Sequence, residues 1–199
     1  VFLNHSSWNN ITNLNTINQN NQNGVFLNHS SWNYIALVNI INQNNQNGVY
    51  LNYSRWNCIE AFNDMIMNSG NGIELDYSSN NTITGWNHVL DNMENGMYLY
   101  RSPWNNISMH YIWNNHEDGI HLSESSWNNL GDRLRIRNNG INAIELDSSS
   151  YNRIFENDIF DSIFPGALYQ MNGIYLHNRS ENNTISRHSL WVGWGHYIR

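Results

Sequence analysis

Two short strings in the 199-residue chain set carboxylates two positions apart. "GIELD" at 72–76 carries Glu74 and Asp76, and "AIELD" at 143–147 carries Glu145 and Asp147. On an extended strand such residues share a face about 7 Å apart, within the range for the acid and base of an inverting glycosidase. His121 lies one repeat before Glu145. If repeats stack as neighbouring strands, the two are about 5 Å apart, close enough to share or orient a proton. Without catalysis the same carboxylates are acceptors for hydroxyl groups, and Tyr50, Tyr98 and Tyr100 among them are flat apolar platforms. Together these suit sugar rings. Outward strand positions are polar by default, so the pairs also arise with no chemistry attached.

Those positions have meaning only through the frame that repeats them. "INQNNQNGV" occurs at 17–25 and again, letter for letter, at 41–49. Aligned on the Gly that closes each copy (Gly24, Gly48, Gly72, Gly96, Gly119 and Gly173, with Ala143 as the one departure), the spacing is 24 residues four times out of six. One position on stand Val25, Val49, Ile73, Met97, Ile120, Ile144 and Ile174; three on, Leu in every copy from Leu3 to Leu176. Six on is Ser30, Ser54, Ser78, Ser102, Ser125 and Ser149, and eleven on is Ile or Leu. Nine on is Asn9, Asn33, Asn57, Asn81, Asn105, Asn128 and Asn152, with Asn183 displaced by one extra residue in the last copy.

Apolar pairs spaced by two mark short strands, and a third, less regular pair follows 16–18 positions after the Gly. Three short strands per copy cannot bury a core alone. Stacked about 4.8 Å apart, each pairs with its equivalents above and below. The expected fold is all-β: one single-stranded right-handed parallel β-helix of about eight coils of about 24 residues, spanning 1–199. Stacking also explains the Asn column. A buried amide is satisfied only by its neighbour, and leaving it unpaired costs roughly 1–3 kcal/mol. The Gly is expected to take positive φ at a tight corner.

Residues 160–172, "FDSIFPGALYQMN", are a loop insertion turning at Pro165-Gly166, and residues 186–199 leave the pattern as a candidate C-terminal cap. Val1 starts in mid-pattern, so the chain reads as part of a longer solenoid whose open strand edges favour end-to-end self-association.

Composition narrows the partners. The net charge is −7, and no basic stripe runs along the chain, which excludes a nucleic-acid backbone as partner. No apolar run is long enough to span a membrane. Cys58 is the single cysteine, so no internal disulfide forms. Trp8, Trp32, Trp56, Trp104, Trp127 and Tyr151 form a column beside the Asn column and read first as a stack shielding a corner. His5 and His29 stack in adjacent copies, but two ligands do not complete a metal site, and no metal or other cofactor is expected.

"NGIELDYSSNNTIT" at 71–84 and "NGIYLHNRSENNTIS" at 172–186 resemble the repeats of the NosD-type, or CASH, right-handed parallel β-helix family of the pectin-lyase-like superfamily. The resemblance covers essentially residues 1–190. It implies an extracellular, cell-surface or periplasmic protein that binds or acts on polysaccharide. Some relatives are polysaccharide lyases, hydrolases or epimerases, and the namesake is associated with copper delivery. The paired Asp-Asp, His-Gly and Arg-Ile-Lys motifs of pectin-cleaving members have no counterpart here.

The reading is therefore a carbohydrate-interacting module or scaffold, its face formed by Tyr50, Glu74, Tyr98, Tyr100, His121 and Glu145. Near-verbatim copying of whole coils suits a scaffold, since a catalytic coil cannot be copied and stay unique. The alternatives are a polysaccharide hydrolase or lyase using Glu74, Asp76, His121, Glu145 and Asp147, and a copper-handling accessory protein.

Overall fold

The computed structural model describes residues 1–161, 170–191 and 196–198. Every regular element among them is a strand, and every strand pairing is parallel, in three long sheets. The first sheet stacks nine strands, from Phe2–Asn4 to His196–Ile198; the second stacks eight, from Asn10–Thr12 to Thr184–Ser186; the third stacks eight, from Thr16–Asn18 to Ser189–Trp191. The chain is thus a parallel β-helix of about eight coils.

Register follows the repeat, as in Leu27 against Leu51 and Ile11 against Ile35. The inward positions form one continuous core: Val25, Val49, Ile73, Met97, Ile120 and Ile144 beside Leu27, Leu51, Leu75, Leu99, Leu122 and Leu146, all shielded from water. Ile41, Met65, Val89, Ile112, Ile136 and Ile159 supply the third wall. Their strand pattern was blurred in sequence because outward Ile40, Ile66 and Leu90 sit beside them.

The Asn column is buried and bonded as a ladder. Asn81 donates from its backbone N–H and from its amide to Asn105 Oδ1, at 2.8 and 3.2 Å, and Asn105 N–H donates to Asn128 Oδ1 at 2.8 Å. The remaining Asn105 amide hydrogens reach the Ser78 and Ser102 carbonyls. Further ladders, read in sequence only as Asn-rich corners, run through Asn15, Asn39, Asn63 and Asn87, and through Asn20, Asn44, Asn68, Asn92, Asn115 and Asn139. Another, running through Asn23, Asn47, Asn71 and Asn95, bonds in the opposite sense: the later coil donates to the earlier. The Ser column does the same work with hydroxyls, Ser54 N–H donating to Ser78 Oγ at 2.9 Å.

The expected positive φ at the repeat Gly is not what the corner uses. Among the described glycines only Gly85 has it. Gly is needed for closeness instead: a Cβ on Gly96 would lie 2.6 Å from the Gly119 carbonyl and 2.8 Å from Asn115 Nδ2. The left-handed corners fall on larger residues, five and eight positions on. Tyr53 and Tyr77 have φ of 47° and 48°, and Trp32, Trp56, Trp104 and Trp127 have φ from 57° to 64°.

The C-terminal stretch also departs from expectation. Ser189–Trp191 and His196–Ile198 pair with the third and first sheets, so the chain stays in the coil there because Leu190 fills the apolar slot of Ile159. Residues 162–169 of the insertion, and 192–195 and 199 of the proposed cap, lie outside the described residues.

Candidate functional site

The outward face of the first sheet carries two parallel columns in the expected register. One runs Tyr50, Glu74, Tyr98, His121, Glu145, Tyr175; the other runs Asn52, Asp76, Tyr100, Ser123, Asp147, His177. Each side chain is outward because its neighbours along the strand, such as Leu75 and Leu99, are held in the core.

The first pair of carboxylates diverges. Glu74 Oε2 accepts from the Asn47 and Asn71 amides at 2.6 and 3.1 Å. Asp76 Oδ2 accepts from the Tyr50 hydroxyl at 3.3 Å. Burial raises both carboxyls above their usual range, opposed by those hydrogen bonds. Asp76 Oδ1 is shielded from water and has no hydrogen-bond partner among the described residues. Tyr98 stands between the two carboxylate groups, with its ring edge-on to His121 at 5.3 Å.

The second group converges. Glu145 Oε2 accepts from Asn142, and Glu145 Oε1 lies 2.9 Å from His177 Nε2 and 3.8 Å from His121 Nε2. On the other side of the imidazole, His121 Nδ1 is 3.4 Å from Asp118 Oδ2. Asp118 is almost wholly buried. Burial, reinforced by the neighbouring Glu145 carboxylate, pushes its carboxyl up to about 8. Burial also holds the His121 imidazole below its ordinary value, against the pull of Glu145. Asp147 stands apart: burial would raise it, but hydrogen bonds from Asn178 and Ser148 outweigh that and hold it low.

Asp118 and His177 were not among the residues singled out from sequence. Asp118 does leave a signal: it precedes Gly119 in the slot that holds Asn23, Asn47, Asn71, Asn95, Asn142 and Asn172 in the other coils. It keeps the ladder bond, accepting from Asn142 N–H at 2.7 Å. An acid in place of a neutral amide adds an ionisable group without adding a ladder contact.

The donor set fits a borderline divalent ion. One ligand atom each from Asp118, His121 and Glu145 fall within 4.8 Å of one another, and His177 Nε2 borders Glu145. His121 Nε2 is shielded and has no hydrogen-bond partner among the described residues. Imidazole and carboxylate are ligands for zinc and copper(II). His5 and His29, by contrast, stack face to face at 4.9 Å and continue into Tyr53 and Tyr77, an aromatic stack rather than converging ligands.

The Trp column is outward and exposed, from Trp127 at 46% to Trp8 at 75%. Its rings stack at 5.1–5.4 Å and break at Asn80. Cys58 is half-buried beside Glu60, and burial with that carboxylate pushes its thiol up to about 12, which keeps it an inert thiol.

Residues 1–186 match the sequence family described as periplasmic copper-binding protein (NosD). No curated protein matches the chain significantly. Among solved structures, the periplasmic alginate epimerase AlgG (T265N T268M double mutant) superposes with a TM-score of 0.76 at 17% identity, over 90% of this chain and 45% of that one. The Azotobacter vinelandii mannuronan C-5 epimerase AlgE4 A-module gives 0.71 at 16% identity, over 96% of this chain and 58% of that one. The Dettilon tailspike protein gives 0.55 at 11% identity, over 91% of this chain and 51% of that one. The chain therefore spans about half the length of these structures, and at such identities the likeness is one of fold.

Proposed function

For a chain that belongs to the NosD family, we propose a polysaccharide-binding role outside the cytoplasm, in the periplasm or at the cell surface, with the first sheet as the binding face. The observation that carries it is the continuous pair of outward columns from Tyr50 to Tyr175. Aromatic rings and hydrogen-bonding groups alternate there on adjacent strands. From Tyr50 to Glu145 the column covers four coil steps, about 19 Å, the length of a few sugar units. Tyr98 is the central platform, and the Glu74 and Asp76 carboxylates on the adjacent strand are the acceptors for ring hydroxyls.

The face reads as a binder rather than a hydrolase. Glu74 and Asp76 are each drawn to separate partners instead of aiming at one bond. The resemblance to epimerase folds supports a saccharide ligand without specifying chemistry on it.

A glycan array followed by titration of the hits tests this reading. Tyr98→Ala is expected to weaken binding by roughly 1–2 kcal/mol, as loss of a central aromatic anchor does. Trp104→Ala, on the Trp column, leaves it nearly unchanged. Trp104 essential and Tyr98 silent moves the site to the Trp stripe, and product release from the hits makes the protein an enzyme.

A second reading has its own observation: the Asp118, His121, Glu145 and His177 group, with Asp in an Asn slot and an unpartnered His121 nitrogen. In a family described as copper-binding, these residues would hold copper(II) as cargo. Calorimetric titration with copper(II) is expected to show a site lost in both Asp118→Asn and His121→Gln. Retention of binding in both variants removes this reading.

A further inference from the structure

The third sheet presents outward columns of a different chemistry. One runs Asp64, His88, Tyr111, Arg135, Asp158; its neighbour runs Ile66, Leu90, Trp113, Arg137, Phe160. All nine cationic side chains of the chain are arginine, and three of them fall within residues 133–137. The coil stacking inserts Arg137 between two rings: its guanidinium carbon is 4.8 Å from the Trp113 ring centre and 5.5 Å from that of Phe160. Arg135 is held alongside, 5.4 Å from the Tyr111 ring, donating to the Tyr111 hydroxyl at 3.3 Å and lying 3.9 Å from Asp158.

A groove of about 620 Å³ runs between these residues. Two donors within it lack acceptors. Trp113 Nε1 and Arg137 Nε are both shielded from water, and neither has a hydrogen-bond partner among the described residues. Shielded N–H groups of this kind are costly unless something accepts from them. Stacking occupies the two faces of the Arg137 guanidinium, so an acceptor for its N–H groups has to lie in the guanidinium plane, where the planar fork matches an oxyanion. The indole and phenyl rings beside it form an apolar floor for a ring-shaped ligand.

We infer that this groove binds an acidic saccharide, a sugar ring bearing a carboxylate or sulfate. The oxyanion accepts from Arg137 and Trp113, and the ring lies against Trp113 and Phe160. The site shares no strand with the first-sheet face and stands whether or not that face binds glycan. The chain as a whole is anionic, at −7, so recognition depends on these desolvated local contacts and not on long-range attraction.

Isothermal titration separates the outcomes, with oligogalacturonate as the carboxylated probe, dextran sulfate as the sulfated one and plain dextran as the neutral one. At least one acidic probe is expected to bind, and the neutral polymer is not; which acidic probe binds identifies the anion. Arg137→Met keeps the stem between the rings and is expected to weaken binding about tenfold or more through loss of the charge-assisted bonds. Trp113→Phe keeps an aromatic face of smaller area and removes the N–H, with an expected loss of about fivefold. Thermal unfolding of each variant confirms that the solenoid is intact. Equal binding of plain dextran, no binding of either acidic probe, or full affinity in both Arg137→Met and Trp113→Phe overturns the inference.

Discussion

At the scale of single residues, a repeat makes departures readable, because each position is compared with its own copies. Asp118 is such a departure, and it yields a pH prediction. Its carboxyl binds a proton more tightly folded, at about 8, than an ordinary Asp at 3.8. The folded state therefore holds more protons than the unfolded one between those values, and stability falls as pH rises through that window. Asp118→Asn restores the ladder residue and removes the ionisation. The variant is expected to be more stable than the parent above pH 8 and closer to it near pH 4, as measured by chemical denaturation across pH. Equal pH slopes for the two proteins would contradict this. His110 is a second departure, the ring that stands where Asn87 stands one coil below. It is fully buried, and burial pushes it down to about 4, so it sits as a neutral ring. The first-sheet columns were legible in the sequence because register alone decides which residues share a face. The convergence of Asp118 and His177 on Glu145 was not, because it depends on how far side chains reach across neighbouring strands and corners. The Arg137 groove was hidden for a different reason: outward Ile66 and Leu90 blur the third strand's alternation, so its outward face could not be separated from its core face.

At the scale of the element, corners are the informative parts. Strand positions followed from spacing by two, and the Leu and Ile columns occupy the core as that spacing demands. Corner conformations did not follow. Gly invites positive φ, yet here close approach selects it, and the left-handed turn falls on Trp, Tyr, His and Arg. A left-handed conformation costs a bulky residue roughly 1–2 kcal/mol. Stacking each Trp on its neighbours, at roughly 0.5–1.5 kcal/mol per pair, offsets much of that. Repetition thus makes tolerable a residue that a lone turn would reject. Gly96→Ala tests the close-approach reading. With no positive φ to violate, the substitution would be harmless in an open corner; here the new Cβ meets the Gly119 carbonyl and is expected to cost roughly 1–3 kcal/mol as overpacking. A measured loss near zero would show that the corner yields; Ala143 occupies the equivalent position and is buried.

At the scale of the whole molecule, each inner coil contacts its two neighbours in the stack, and the sheets, the core columns and the Asn ladders all run along one axis. Three of the Asn ladders donate from earlier to later coil and one donates in reverse. The architecture was legible from sequence because one unit, written repeatedly, has to satisfy the same neighbours each time. Where the unit lengthens, between Asn142 and Asn172, the ladder still closes, Asn172 donating to Asn142 at 2.6 Å across 30 residues. This alignment gives the protein a mechanical grain. Pulled by its two ends, the chain loads the outermost coil first, and peeling it breaks one short rung of each sheet and ladder while the rest stays intact. In an optical trap the force trace should be a series of similar small teeth instead of a single rupture, each releasing one coil of 24 residues, about 80 Å of chain. A single tooth spanning the whole length would mean that the coils fail together. Pulled sideways across the stack, all rungs share the load, and the same molecule should resist as a stiff rod.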